Sequence, residues 1–250
     1  MKLYYSPGAC SLGIHVLLEE TGQPYELQRL NFPDGEQHQP AFRAVNPKGK
    51  VPTLARDDGS VLTEFPAIAW WLALTFPAAK LLPAGTEAQV RALEAMDYVV
   101  GTLHGQGFGR MFRPMKFTPS EADHDKVKAQ GREIFEAGMS LMDAALAGQE
   151  WVVGSFSVAD AALFYVEFWA GRMDVPLPAN CAAHKARMLA RPAVQRAVAR
   201  PSPGRVRRTQ PRAAPVLRRH PGAPRAEVAP HQAASPVRRP GRRRPAAGAG

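Results

Sequence analysis

The chain has 250 residues, 45% of them hydrophobic, with 32 Lys plus Arg against 22 Asp plus Glu and a formal charge of +10. The excess is local: residues 201–250 hold 12 Arg, no Lys and one acid, Glu227, which leaves the first 200 residues at about −1. The basic pI therefore does not mark the body as a polyanion binder. No run approaches the ~20 apolar residues of a membrane span, and two cysteines, Cys10 and Cys181, make no disulfide framework.

Lys2 to Tyr5 reads as a short strand stopped by Ser6-Pro7-Gly8. A helix follows from Ser11, with Leu12, Val16 and Leu17 on one face and Gly22 as terminator. Tyr25 to Leu30 alternates as a second strand. Phe32 to Pro40 is loop-like, Ala41 to Val45 is a short helix, and Asn46-Pro47-Lys48-Gly49 is a turn. Val51 to Ala55 and Ser60 to Thr63, joined by Arg56-Asp57-Asp58-Gly59, form the clearest hairpin signal. Phe65 to Phe76 is helical, opening with Pro66 and ending at Pro77.

Beyond a Pro-containing connector no strand signal remains. Helices are expected at Glu87 to Met111, Pro119 to Leu146, Val158 to Gly171 and Cys181 to Arg200. The pattern is βαβ-ββα followed by an all-helical unit, an α/β plus all-α organisation with domains at 1–80 and 86–200. The 201–250 tail holds 10 Pro, 10 Ala and 5 Gly and none of the 20 aromatic residues, so it is expected to be disordered. Its bias matches out-of-frame reading of a GC-rich gene; the other reading is an Arg-rich arm that binds nucleic acid non-specifically.

Cys10 lies between a strand turn and a helix N-terminus, where free N–H groups and the helix dipole favour a thiolate. Ser11 and Tyr5 add hydroxyl donors, and the plain alternative is a small hydrophobe packed under the helix. Val51-Pro52 opens a strand, either with a cis bond or as an edge strand with Pro first. Glu64 sits before the Pro66 helix, either receiving a ligand or capping. Ser157 to Asp160 is a capping pattern and reads as structural.

Trp70 and Trp71 read as core or subunit contact, and Phe108, Met111 and Phe112 as an apolar cluster that lines or packs a pocket. His104 precedes Gly105-Gln106-Gly107, glycines that weaken a helix locally. Cys181 and His184, three apart with no further ligand nearby, read as structural rather than as a metal site.

In this order the residues resemble bacterial beta-class glutathione S-transferases. The resemblance is carried by Lys2 to Leu12 (KLYYSPGACSL), Asn46 to Pro52 (NPKGKVP), Asp57 to Glu64 (DDGSVLTE), Phe112-Arg113-Pro114, Ser157 to Asp160 and Arg191 to Gln195, and it spans residues 1 to about 198. It implies a thioredoxin-like N-terminal domain, a helical C-terminal domain, a homodimer, and glutathione as co-substrate without a metal. By resemblance, Cys10 lies against the glutathione sulfur, and Val51, before a cis Pro52, pairs with the peptide as an added strand. Glu64 receives the γ-glutamyl end with the backbone of Phe65, Asp97 matches a position usually Asn, and His104 matches the histidine of the second domain.

Three departures stand out. Phe65 replaces a Ser or Gly, Asp34 stands where a Lys is expected, and one extra residue between His104 and Phe108 leaves either His104 or Gly105 at the histidine position. The expected protein is a cytoplasmic glutathione-dependent enzyme. Its glutathione thiolate attacks an apolar electrophile near Phe108, Met111 and Phe112, or Cys10 exchanges with a glutathionyl disulfide. The alternative is a non-catalytic interaction protein on the same fold.

Overall fold

The computed structural model describes residues 1–199. The expected disorder of 201–250 lies outside them. Strands β1 (Lys2–Tyr5), β2 (Glu26–Arg29), β3 (Thr53–Ala55) and β4 (Val61–Thr63) form one sheet in the order β2-β1-β3-β4. β1 runs parallel to β2, while β3 is antiparallel to both β1 and β4, as the tight hairpin requires.

The period of two in β1 decides what covers each face. Leu3 and Tyr5 enter the main core with Leu54, while Tyr4 turns the other way onto Phe42, ring centroids 5.4 Å apart. Helix α2 (Pro40–Val45) brings Phe42 to that second face, where Leu30 and Val51 complete a small cluster. On the first face lie α1 (Ser11–Thr21) and α3 (Phe65–Thr75). α1 ends where Gly22 takes φ 65°, a left-handed turn that costs glycine little.

The helical part contains α4 (Thr86–Tyr98), α5 (Gly109–Phe112), α6 (His124–Ala145), α7 (Val158–Ala170), α8 (Ala179–Ala190) and α9 (Pro192–Val198). α7 is its axis, because every residue except Phe168 is buried. It opens with the expected capping box: Ser157 Oγ accepts from the Ala159 N–H at 3.2 Å, and Asp160 accepts from the Ser157 N–H at 2.7 Å. α1 meets α7 closely at Gly13, where a Cβ would stand 2.6 Å from the Ala161 carbonyl oxygen. α9 returns to α1 through Arg191 to Glu20 at 2.7 Å and through Arg196 to Glu19.

Two helical expectations need correction. The helix expected over 181–200 is two, because Pro192 pushes Arg191 out of helical geometry, to ψ 131°. The helix expected over 87–111 is continuous in path but not in geometry. Val99–Phe108 between α4 and α5 is π-helical, closing with the Gly109 N–H on the His104 carbonyl, five residues back.

Cys181 and His184 are both buried in α8 and hold no metal-like cluster with other ligands among the described residues. His184 instead bridges two carboxylates. Its Nδ1 lies 3.0 Å from Glu167 and its Nε2 3.2 Å from Asp160, all three side chains sealed from solvent. Burial alone would lower His184, but the hydrogen bonds and charges of Asp160 and Glu167 outweigh it and hold the imidazole up at about 9. Burial likewise lifts Glu167 to about 7, against the opposing pull of His184.

Candidate functional site

The turn between β1 and α1 positions the thiol. The Ala9 N–H bonds the Ser6 carbonyl at 3.0 Å, and the Ser11 hydroxyl both donates to the Ser6 carbonyl and accepts from its N–H at 3.3 Å. Ser11 is therefore spent on holding the turn. Cys10 caps α1, with its Sγ donating to the Val51 carbonyl at 3.3 Å across 41 residues of sequence.

Burial reverses the expected ionisation. Burial is the largest influence and pushes the Cys10 thiol up to about 12, although the backbone N–H groups of Cys10 and Ser11 and the charge of Lys50 pull it down. The helix terminus favours an anion here, as expected, but it does not outweigh the loss of water. Tyr5 is also buried, its ring 6.0 Å from His15, and has no hydrogen bond to Cys10.

The Val51-Pro52 peptide is cis. Asn46 fixes the loop leading to it, donating to the Lys50 carbonyl and to Thr53 Oγ1, both at 2.9 Å. Across the sheet edge, Glu64 has φ 70° and ψ 130°, a sparsely populated conformation for a residue with a Cβ. Its carboxylate receives Lys48 Nζ at 2.7 Å, and the same ammonium donates to Thr63 Oγ1 at 2.9 Å. Phe65 opens α3 with its side chain turned inward, its ring 5.3 Å from that of Tyr165, so it presents only backbone to this edge.

The helical part closes the other side. His104 lies in the π-helical segment, its ring 4.8 Å from Trp169, and its Nδ1 is 3.2 Å from the Tyr165 hydroxyl. Burial, with the nearby positive charges of Lys50 and Arg113, drives its pKa down to about 4, so it is neutral. Trp169 Nε1 in turn donates to the Gly8 carbonyl at 2.7 Å, tying α7 to the turn that carries Cys10.

Phe108 is wholly buried and Met111 nearly so; both are core packing. Phe112 is exposed, stacked on Phe108 at 5.2 Å and edge-on to Trp169 at 5.5 Å, so it presents the aromatic surface of this cluster. Asp97 is exposed on α4, with no hydrogen bond to the other candidates among the described residues. Cys10, Val51, Pro52, Glu64, Phe65 and His104 are thus grouped around one end of the sheet, where β1 leads to α1, the cis loop enters β3 and β4 leads to α3, by direct contact or through Lys50 and Tyr165.

Sequence reasoning missed Tyr165, Trp169 and the ion pair of Lys48. Lys48 was visible within a turn motif, but nothing in the sequence tied it to Glu64. Tyr165 and Trp169 sit in an apolar helical run and look like core.

Comparison with known proteins settles the family. The "Glutathione S-transferase, N-terminal domain" family matches residues 8–75. Glutathione S-transferase GstA of Escherichia coli O157:H7 is 37% identical over 207 residues, covering 79% of this chain and 97% of that protein. The chain belongs to the glutathione S-transferase family. Among solved structures, a glutathione transferase homologue from Sulfitobacter with bound glutathione superposes with a TM-score of 0.74 at 30% identity, over 78% of this chain and 95% of that one. A bacterial beta-class glutathione S-transferase from Sphingomonas chungbukensis superposes with a TM-score of 0.67 at 33% identity, over 79% and 97%. The sheet is accordingly the thioredoxin-like part of a glutathione S-transferase, and α4 to α9 are its helical part.

Proposed function

We propose that this glutathione S-transferase binds glutathione along the segment Val51 and cis Pro52 that leads into β3, with the thiol beside Cys10. The observation that carries this reading is the 3.3 Å contact between Cys10 Sγ and the Val51 carbonyl. It places a sulfur and an unpaired strand end side by side, where the backbone of an extended tripeptide pairs as an added strand. The γ-glutamyl end then meets Glu64 and the N–H groups at the start of α3. The relatives solved with glutathione support the ligand.

The raised Cys10 favours glutathione, not Cys10, as the nucleophile of the unmodified protein. Glutathione brings a thiol to the N–H groups that open α1, and its thiolate attacks an electrophile resting on Phe112. The leaving group departs with the bonding pair. A second reading, in which Cys10 attacks a glutathionyl disulfide, forms a mixed disulfide and releases the other thiolate, rests on the position of Cys10 at a helix N-terminus. We assign the protein to residues 1–80 for glutathione and 86–200 for the acceptor, working in the cytoplasm as a homodimer. Among the described residues no helix is long and apolar enough to cross a membrane.

Two assays separate these readings. Wild type and Cys10→Ser are compared for conjugation of glutathione to a chloronitrobenzene, and for adduct formation with oxidised glutathione by intact-mass spectrometry. Conjugation that survives Cys10→Ser supports transfer, and an adduct lost in Cys10→Ser supports exchange. Neither activity, together with no retention on immobilised glutathione, would leave the fold as a non-catalytic interaction protein.

A further inference from the structure

Tyr165 belongs to neither the sheet edge nor the acceptor surface, yet it stands between them. Its side chain is wholly buried on α7, its ring packs on Phe65 at 5.3 Å and on Trp169 at 5.1 Å, and its hydroxyl lies 3.2 Å from His104 Nδ1. Cys10 is close enough that its negative charge would disfavour a phenolate at Tyr165. Being sealed, Tyr165 cannot touch a ligand itself; it can act only through His104, which is half-buried.

We infer that Tyr165 is a positioning residue, whose hydroxyl donates to His104 Nδ1 and thereby fixes the imidazole proton on Nε2, the nitrogen left to donate to a bound thiolate. The argument is one of hydrogen-bond supply. Among the described residues His104 Nδ1 is the hydrogen-bond partner of this hydroxyl. A buried O–H with no acceptor is penalised, so the proton points at Nδ1. Nδ1 is then an acceptor, and a neutral imidazole must carry its proton on the other nitrogen. The groups charged or titratable around the ring keep it neutral: Lys50 and Arg113 oppose an imidazolium, and Tyr165 and Cys10 remain protonated. His104, in the π-helical segment, packs edge-on against both Tyr165 and Trp169.

The inference rests on glutathione lying beside Cys10, and two readouts keep the two ideas apart. Ring nitrogen-15 NMR of the wild-type chain is expected to show the Nε2–H tautomer of His104, and Tyr165→Phe to shift it toward a mixture. An Nδ1–H tautomer in wild type would overturn the assignment, whether or not glutathione binds. Thiolate difference absorbance of bound glutathione is expected to show its thiol pKa raised by about one unit in Tyr165→Phe, roughly a tenfold loss of thiolate, with KM for glutathione little changed. The same substitution in a His104→Gln background should add nothing. An equal shift in that background, or no shift in folded Tyr165→Phe, refutes the role.

Discussion

The sealed Asp160, Glu167 and His184 cluster should make stability fall as pH rises above neutral, by an amount set by how far its two carboxylates raise His184. His184 is held up at about 9 against an ordinary value of 6.5, so its contribution is complete below 6.5 and is lost as pH climbs through 9. Between about pH 7 and pH 8.5 the unfolded imidazole has released its proton while the folded one keeps it. At about 1.36 kcal/mol per pH unit this interval removes about 2 kcal/mol. For about 200 residues that lowers Tm by roughly 4–8 °C.

The window isolates His184. Glu167, lifted from 4.5 to about 7, loses its proton mostly below it, and His104, depressed to about 4, acts with the opposite sign at acid pH. The thiols of Cys10 and Cys181, both raised to about 12, act mainly above it. Thermal unfolding followed by circular dichroism at several pH values reads the effect. His184→Gln should be less stable at neutral pH by about 3–5 kcal/mol, since it leaves two buried carboxylates without their cation; because His184 also holds Glu167 down, the variant whose Tm should be flat across the window is the double substitution His184→Gln with Glu167→Gln. A wild-type Tm that does not move, or a decline that persists in the double variant, would refute the reasoning.

Gly138→Ala should cost about 1–3 kcal/mol in a denaturant titration, because its Cβ would stand 2.2 Å from Leu103 Cδ2 and 2.9 Å from the Tyr98 hydroxyl oxygen; an unchanged midpoint would mean α6 is free to move off the π-helical segment. Glu64→Gly relieves the φ 70° conformation, worth about 1 kcal/mol or more, and loses only an exposed ion pair with Lys48. Its unfolding midpoint should hold or rise while glutathione affinity by calorimetry falls about tenfold or more; unchanged affinity would remove Glu64 from the site.

Short-range chemistry was legible in the sequence, and long-range chemistry was not. The Arg56 to Gly59 turn, the Gly22 terminator and the Ser157 capping box each depend on residues within a few positions, and each appears where the pattern put it. The break at Arg191 is equally local, since Pro192 disfavours helix at the residue before it. The glycines after His104 signalled an irregular helix, but not that the irregularity would be a π turn packed on α6, because that turn is held against Gly131 and Gly138 of a different helix.

The thiol shows why a site can be located without its ionisation being known. A helix N-terminus is visible in sequence, and it supplies a thiolate-stabilising field that is present in the structure. What seals Cys10 comes from far along the chain: Val51 is 41 residues away, and the Trp169 contact that pins the neighbouring Gly8 spans 161. Desolvation is a property of everything packed around an atom, so it is the influence a linear pattern carries least, and here it is the largest. The same logic hid Tyr165. Within Leu163-Phe164-Tyr165-Val166 its ring is core, and its hydroxyl acquires chemical meaning only from a histidine 61 residues away. In the proposed site the end of the sheet at Val51 and Pro52 supplies the peptide-binding geometry, while Tyr165 and Trp169 of α7 pack on His104 from behind. Substitutions on α7 should accordingly change thiol chemistry without changing which residues line the glutathione site.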